Sequence, residues 1–155
     1  MNTLLCSACA EVAGEVTAPG GVIFDDDLWY VSHHTGAYTD PGELIVKTRR
    51  HCESLGDLTP AEADSLGRIL RVAVGALEKV RVDAERIYAV SFNERVRHVH
   101  FLLLPRTGDM PRGHVLSDLY RRVRNFLRNL GLVRNPSAAQ RADAAAQVRR
   151  AWSDA

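Results

Sequence analysis

The run Arg97-His98-Val99-His100-Phe101-Leu102-Leu103-Leu104-Pro105-Arg106 constrains this chain more than any other stretch. A strand sends alternate side chains to opposite faces. The alternation therefore predicts a strand with His98, His100 and Leu102 on one side and Val99, Phe101 and Leu103 in a core. Pro105 has no amide proton to give a sheet ladder and is expected to end the strand. Taken alone, a His-x-His pair reads as two histidines satisfied by neighbours on a half-buried sheet. Its chemical meaning depends on residues elsewhere.

At 155 residues the chain is long enough to bury one substantial core, and a single domain is expected, with a core over 1–110 and a helical C-terminal extension over 111–155. An apolar content of 46% with 25% charged residues excludes a disordered or low-complexity chain. The formal net charge of +1 gives no general attraction to nucleic acid or to a membrane surface. No apolar stretch reaches the length of a membrane span, and Met1-Asn2-Thr3-Leu4-Leu5 lacks a charged region followed by an apolar core. A cytoplasmic location is the expectation. Cys6, Cys9 and Cys52 are too few and too odd in number for a disulfide framework. In a reducing compartment, Cys6-Ser7-Ala8-Cys9 reads better as half of a metal site than as a bridge. The rival is a redox pair, but such a pair normally opens a helix after a strand, and no strand is expected before Cys6. Cys52 reads as a small, semi-buried residue.

Turn residues at Pro19-Gly20-Gly21 lead into two short strands, Val22–Phe24 and Leu28–Val31, around Asp25-Asp26-Asp27. Three aspartates suggest a cation, but the rest of a calcium loop is missing and a solvated turn fits better. Ser32 to Pro41 is expected to be a loop carrying His33-His34, read as surface histidines. Gly42–Lys47 is a strand candidate. Thr59-Pro60-Ala61-Glu62 forms a capping box with proline at the first helical position, and Leu66, Ile69, Leu70, Ala73, Leu77 and Val80 follow at helical spacing. Ile87–Phe92 is a further strand, and Asn93-Glu94 a turn. Beyond an irregular loop at 107–113, Leu116, Leu119, Tyr120, Val123, Phe126, Leu127 and Leu130 mark a second amphipathic helix ending near Gly131. Arg121, Arg122, Arg124 and Arg128 lie on its polar side. They could meet phosphates, but with near-neutral charge and no aromatic platform a solvated face is expected. The tail after Asn135-Pro136 reads as a helix docked through Val148 and Trp152 on the body or on a partner subunit.

Two thiols at Cys6 and Cys9 and imidazoles at His51 and His98 make up a Cys₂His₂ set of the kind zinc prefers, although their spacing does not show that they meet. Cys6-Ser-Ala-Cys9, Pro41-Gly-Glu-Leu-Ile-Val46, Arg50-His-x-Glu-Ser-Leu-x-Asp-Leu-Thr59, the long helix, and His98-Val-His-Phe before Pro105-Arg106 follow one another in the order and spacing of the histidine triad (HIT) superfamily of nucleotide hydrolases and transferases. The chain resembles that family from about Cys6 to Arg106. The resemblance implies an α+β fold with a five-stranded antiparallel sheet, one long crossing helix and C-terminal helices, usually in a homodimer. It implies a structural zinc at Cys6, Cys9, His51 and His98, as in zinc-bearing members and in the related galactose-1-phosphate uridylyltransferases. It also makes His100 the nucleophile that attacks an α-phosphorus, with Asn93, Arg95 and Leu102 beside the substrate. Neutral imidazole suits that task, because a hydrogen bond at one nitrogen fixes the tautomer that attacks with the other.

The third histidine of the family motif is Leu102 here. Leucine cannot donate a hydrogen bond to a phosphoryl or leaving-group oxygen, and loss of one preorganised donor costs on the order of 10²–10³ in rate. Glu94 and Arg95 stand where many members place glutamine and a small hydroxyl residue, and Lys47-Thr48 replaces an apolar-proline pair. Three functions fit the sequence. One is a nucleotidyl-histidine enzyme restricted to good leaving groups. The second is a protein that binds a nucleotide or a partner without turnover, and the third is a zinc-stapled dimer repurposed for other chemistry. A fourth idea brings His33, His34 or His114 from a loop to replace the missing imidazole.

Overall fold

The alternating run becomes β5 (His100–Thr107), an inner strand of a five-stranded antiparallel sheet, in a computed structural model that describes residues 6–152. The stretch Met1–Leu5, where the sequence showed no export signal, lies outside the described residues, as does the side chain of His114. The other strands are β1 (Val22–Asp25), β2 (Trp29–His33), β3 (Leu44–Thr48) and β4 (Ala84–Val90), in the spatial order β1-β2-β3-β5-β4. Four helices accompany them: α1 (Ser7–Val12), α2 (Pro60–Val80), α3 (His114–Asn129) and α4 (Ala138–Trp152). This is the α+β architecture expected from the sequence. Among the described residues no helix is long and apolar enough to cross a membrane.

The sheet has one covered face. Val31, Leu44, Val46 and Leu103 pack there with Ile69, Ala73, Ala76 and Leu77 of α2, and Phe101 joins them. Helix α2 starts where its capping box predicts: Thr59 Oγ1 accepts from the Glu62 amide, and Glu62 reaches back to the Thr59 amide at 2.7 Å. Glu62 is itself buried and takes Arg50 in a 2.8 Å ion pair. The tail docks on the body of its own chain. Ala145 and Val148 of α4 enter the same core, and Trp152 stacks on Phe24 with ring centroids 4.9 Å apart.

Several boundaries differ from the sequence reading. The strand starts at His100 rather than His98, because the His98 amide bonds back to Val96 O at 2.9 Å and the Val99 amide turns to Cys52 O at 2.6 Å. Pro105 lies inside β5 and does not end it. The ladder with β3 stops at Leu103, so at Pro105 the strand has β4 alone beside it, an edge-like position where a missing amide is tolerated. That continuation to Thr107 recruits Ala84 and Arg86, and β4 begins earlier than the apolar run suggested. It also ends earlier, leaving Phe92 67% exposed. Asp26 forms the turn between β1 and β2, accepting from the amides of Leu28 and Trp29. Cys52 is fully buried rather than half-buried, and gives its thiol proton to Ser54 O.

The largest departure is α3. Its arginines were expected in solvent; instead Arg121 pairs with buried Glu43, Arg124 with Asp40, and Arg128 with Asp40 at 2.5 Å and Tyr38 O at 2.9 Å. Only Arg122 of the four is solvated, on an exposed pair with Asp118. The acids that turn the helix over stand about 80 residues upstream, between β2 and β3.

His33 is not a loop residue but the buried last residue of β2. Its Nδ1–H donates to His34 O at 3.0 Å and its Nε2 accepts from the Gly42 amide at 3.2 Å, an arrangement that needs the neutral ring. His34 is also largely enclosed, and burial, with His33 and Arg121 nearby, lowers its pKa to about 4. Folding thus excludes protons that the unfolded chain takes up near pH ~6.5. The stability that His34 contributes is complete above that value and is lost as pH drops toward about 4. Urea unfolding between about pH 7 and pH 5 is expected to show this decline, made shallower by His34→Gln; a flat wild-type profile would contradict it.

Candidate metal centre and active site

Residues opposite one another in an antiparallel ladder share a face. Tyr30, Lys47 and His100 form one row across β2, β3 and β5, and Ser32, Ile45, Leu102 and Val90 form the next. Both rows lie on the face away from α2. This face carries the sequence-predicted chemistry.

Cys6 caps α1 and Cys9 lies within it. His51 follows β3, and His98 occupies the bend before β5. Their four ligand atoms all lie within 4.8 Å of one another. Cys6 Sγ is 3.5 Å from His98 Nδ1; Cys9 Sγ is 3.3 Å from His51 Nδ1 and 3.6 Å from His98 Nδ1. Zinc bonds of about 2.3 Å to sulfur and about 2.0–2.1 Å to nitrogen, set tetrahedrally, give sulfur–nitrogen edges of about 3.5 Å. The three sulfur–nitrogen separations of 3.3–3.6 Å match such edges.

The outer nitrogens support the same polarity. His98 Nε2 donates to Thr48 O at 2.7 Å, and His51 Nε2 lies 3.3 Å from Glu53 Oε1. A carbonyl and a carboxylate only accept, so both rings direct an Nδ1 lone pair into the cluster, as metal-ligating histidines do. Burial lowers the His98 pKa. Burial and the neighbouring Cys6 thiol raise Cys9 to about 11, a cost that a bound cation reverses by favouring the thiolates. Cys6 and Cys9 are both free thiols.

His100 stands two residues on, half-buried. Its Nδ1–H donates to His98 O at 2.6 Å, which leaves the Nε2 lone pair free. Asn93 sits beside it in the left-handed region, at φ 52, a conformation asparagine tolerates. Its Oδ1 accepts the His100 amide at 3.2 Å. Leu102 is on the same face between Ile45 and Val90, half-buried. Val90 also lines an apolar cleft of about 330 Å³ shared with Tyr88, Phe92, Leu104 and the first turns of α3. Arg95 is exposed in the bend between Asn93 and His98.

The sequence reading did not find the ion pair beneath this site. Lys47 Nζ lies 2.6 Å from Glu11 Oε2, with the two side chains 1% and 4% exposed, and 4.8 Å above the Tyr30 ring. It ties α1, and with it both cysteines, to the strand directly opposite His100. The alternation Glu43, Ile45, Lys47 was the available signal, but Glu11 as partner is visible only in the fold. Of the three histidines considered as replacements, His33 is fixed in the core. His34 lies on the site side of the sheet, within electrostatic reach of His100 and Lys47.

No protein-family model matches the sequence, and no curated protein is significantly similar to it. Solved structures are similar over nearly the whole chain. A zinc-bound histidine triad family protein from Mycobacterium smegmatis matches with a TM-score of 0.68 at 19% identity, covering 99% of this chain and 96% of that one. A Hit-like protein involved in cell-cycle regulation from Bartonella henselae gives 0.69 at 16% identity, covering 97% of each chain. A hypothetical histidine triad nucleotide-binding protein from Sulfolobus tokodaii gives 0.69 at 11%, covering 96% and 93%. Strand order, the crossing α2 and these superpositions agree that the chain has the histidine triad fold.

Proposed function

We propose that this chain is a cytoplasmic, homodimeric nucleotide hydrolase or nucleotidyltransferase that acts at an α-phosphate through a nucleotidyl-histidine on His100. The observation that carries the proposal is the His100 tautomer: the bond from Nδ1–H to His98 O leaves Nε2 as the nucleophile. Nε2 attacks the phosphorus, the bond to the leaving group breaks, and water or an acceptor then displaces His100. Asn93 holds the His100 backbone through Oδ1, and Arg95 lies within the preceding bend as a cationic neighbour for the phosphate. Leu102 offers the departing oxygen no proton, so the substrates are those whose leaving groups need little assistance, such as acyl-adenylates and phosphoramidates. A structural zinc at Cys6, Cys9, His51 and His98 would hold His98, and through its carbonyl the His100 ring. The matching sulfur–nitrogen edges and the oriented outer nitrogens support it.

A second reading, nucleotide or partner binding without turnover, is favoured by Leu102 itself, an apolar side chain in a row with Ile45 and Val90.

Incubation with adenosine phosphoramidates or acyl-adenylates carrying an α-phosphorus label is expected to leave label on wild-type protein and none on His100→Ala. Absence of label across the panel, or equal labelling of the variant, refutes the enzyme; tight binding that survives His100→Ala without turnover supports the second reading. Leu102→His restores a donor and is expected to raise the single-turnover rate on a poor leaving group by on the order of 10²-fold. Metal analysis of freshly purified protein should give about one zinc per chain, lost in Cys9→Ser together with several degrees of Tm. Much less zinc in the wild type overturns the metal assignment.

A further inference from the structure

Helix α3 is amphipathic in reverse. Ser117, Arg121, Arg124 and Arg128 face the body, where Ser117 and Arg128 are 3% and 8% exposed. The apolar stripe faces out: Leu116, Leu119, Val123, Phe126 and Leu130 are 56, 54, 50, 61 and 52% exposed. Their spacing is three, four, three, four. That is the a/d seam of a coiled coil rather than the wider stripe of a helix lying on a sheet, and it fits another helix packed at about 20°.

We infer that this seam is covered by α3 of a second copy of the chain, related by a two-fold axis. Four observations select that occupant. The seam is a single run of similar aliphatic and aromatic knobs, so it complements itself, as an isologous contact requires. The other long helices of the described chain, α2 and α4, already bury residues in the sheet core, and α1 has six residues. The flank of the seam carries Asp118 and Arg122, an acid and a base 2.6 Å apart and both exposed, which an antiparallel copy can match with its own pair. A helix of 16 residues is about 24 Å long. Phe92 and Val115, exposed at 67% and 64% beside a shared cleft, widen the patch toward the ~800 Å² per partner of a stable pair.

The inference gives the homodimer reading above a specific surface, and rests on it. The inward arginines keep α3 in place so that the seam is presented. Because the seam residues lie outside the core, charges placed there disturb the pair rather than the fold.

Sedimentation equilibrium on the full chain tests it. Wild type is expected to be dimeric, and Leu119→Glu with Phe126→Glu to weaken the dimer by on the order of 100-fold or more while retaining zinc and the wild-type near-UV circular dichroism. Val123→Cys is expected to give a dimer-sized product with a short bismaleimide that the wild type does not give. A double variant that stays dimeric, or a dimeric Val123→Cys protein that does not cross-link, overturns the seam and leaves the homodimer reading standing. A wild type that stays monomeric to about 100 µM overturns both and leaves the seam to a helix of another protein.

Discussion

Four side chains from three separate stretches must meet before any other feature of the site face makes sense: Cys6 and Cys9 near the N-terminus, His51 after β3, and His98 before β5. Cys6 and His98 are 92 residues apart in sequence, so their encounter carries the entropy of closing a long loop. Burial beside Cys6 also raises the Cys9 pKa to about 11, which disfavours the thiolate that a metal ligand must be. A divalent cation held by these four side chains would offset both. With the cluster closed, α1 is brought over the sheet so that Glu11 meets Lys47. The bend at His98 is also fixed, and the His98 carbonyl is then in place to receive the His100 proton.

The Lys47–Glu11 pair is a second constraint on the same geometry. A buried ion pair contributes little net stability, because desolvation of both charges offsets their attraction, yet loss of one partner leaves an unpaired buried charge. Its consequence is positional. Of all the orientations a six-residue helix could take on this face, the one that satisfies Lys47 also delivers Cys9 to His51. The site thus depends on two nonlocal polar contacts rather than on the apolar core on the opposite face.

That division explains what the sequence could reveal. Helix α2 was legible because its start is set within four residues, by Thr59 and Glu62, and its face by apolar spacing. The Cys₂His₂ set was legible as a ligand set, since donor types and the order of motifs are written in the chain. Positions decided by distant partners were not. Pro105 reads as a strand end until the ladder of β3 is seen to stop at Leu103. His98 reads as a strand residue until Cys52 O takes the next amide. His33 and His34 resemble loop histidines in a Gly- and Thr-rich stretch, whereas β2 carries the first into the core. The arginines of α3 read as solvated because nothing local shows that Asp40 and Glu43 stand opposite them.

The energetics of α3 make the same point from the other side. Its inward contacts are ion pairs and hydrogen bonds. A partly exposed ion pair contributes up to about 1 kcal/mol, and burial of the guanidinium groups lowers the pKa of Arg124 to about 10, a sign that desolvation opposes them. Its outward side leaves five large apolar side chains about half in water, each forgoing on the order of 1 kcal/mol of burial. Turning the helix over within one chain would take Arg121 away from Glu43, which is 3% exposed. The arrangement that satisfies both faces keeps the arginines on Asp40 and Glu43 and covers the seam from outside. Burial of Glu43 and exposure of the seam are therefore coupled: the acid that turns the arginines inward is what makes an external partner for the leucines thermodynamically favourable.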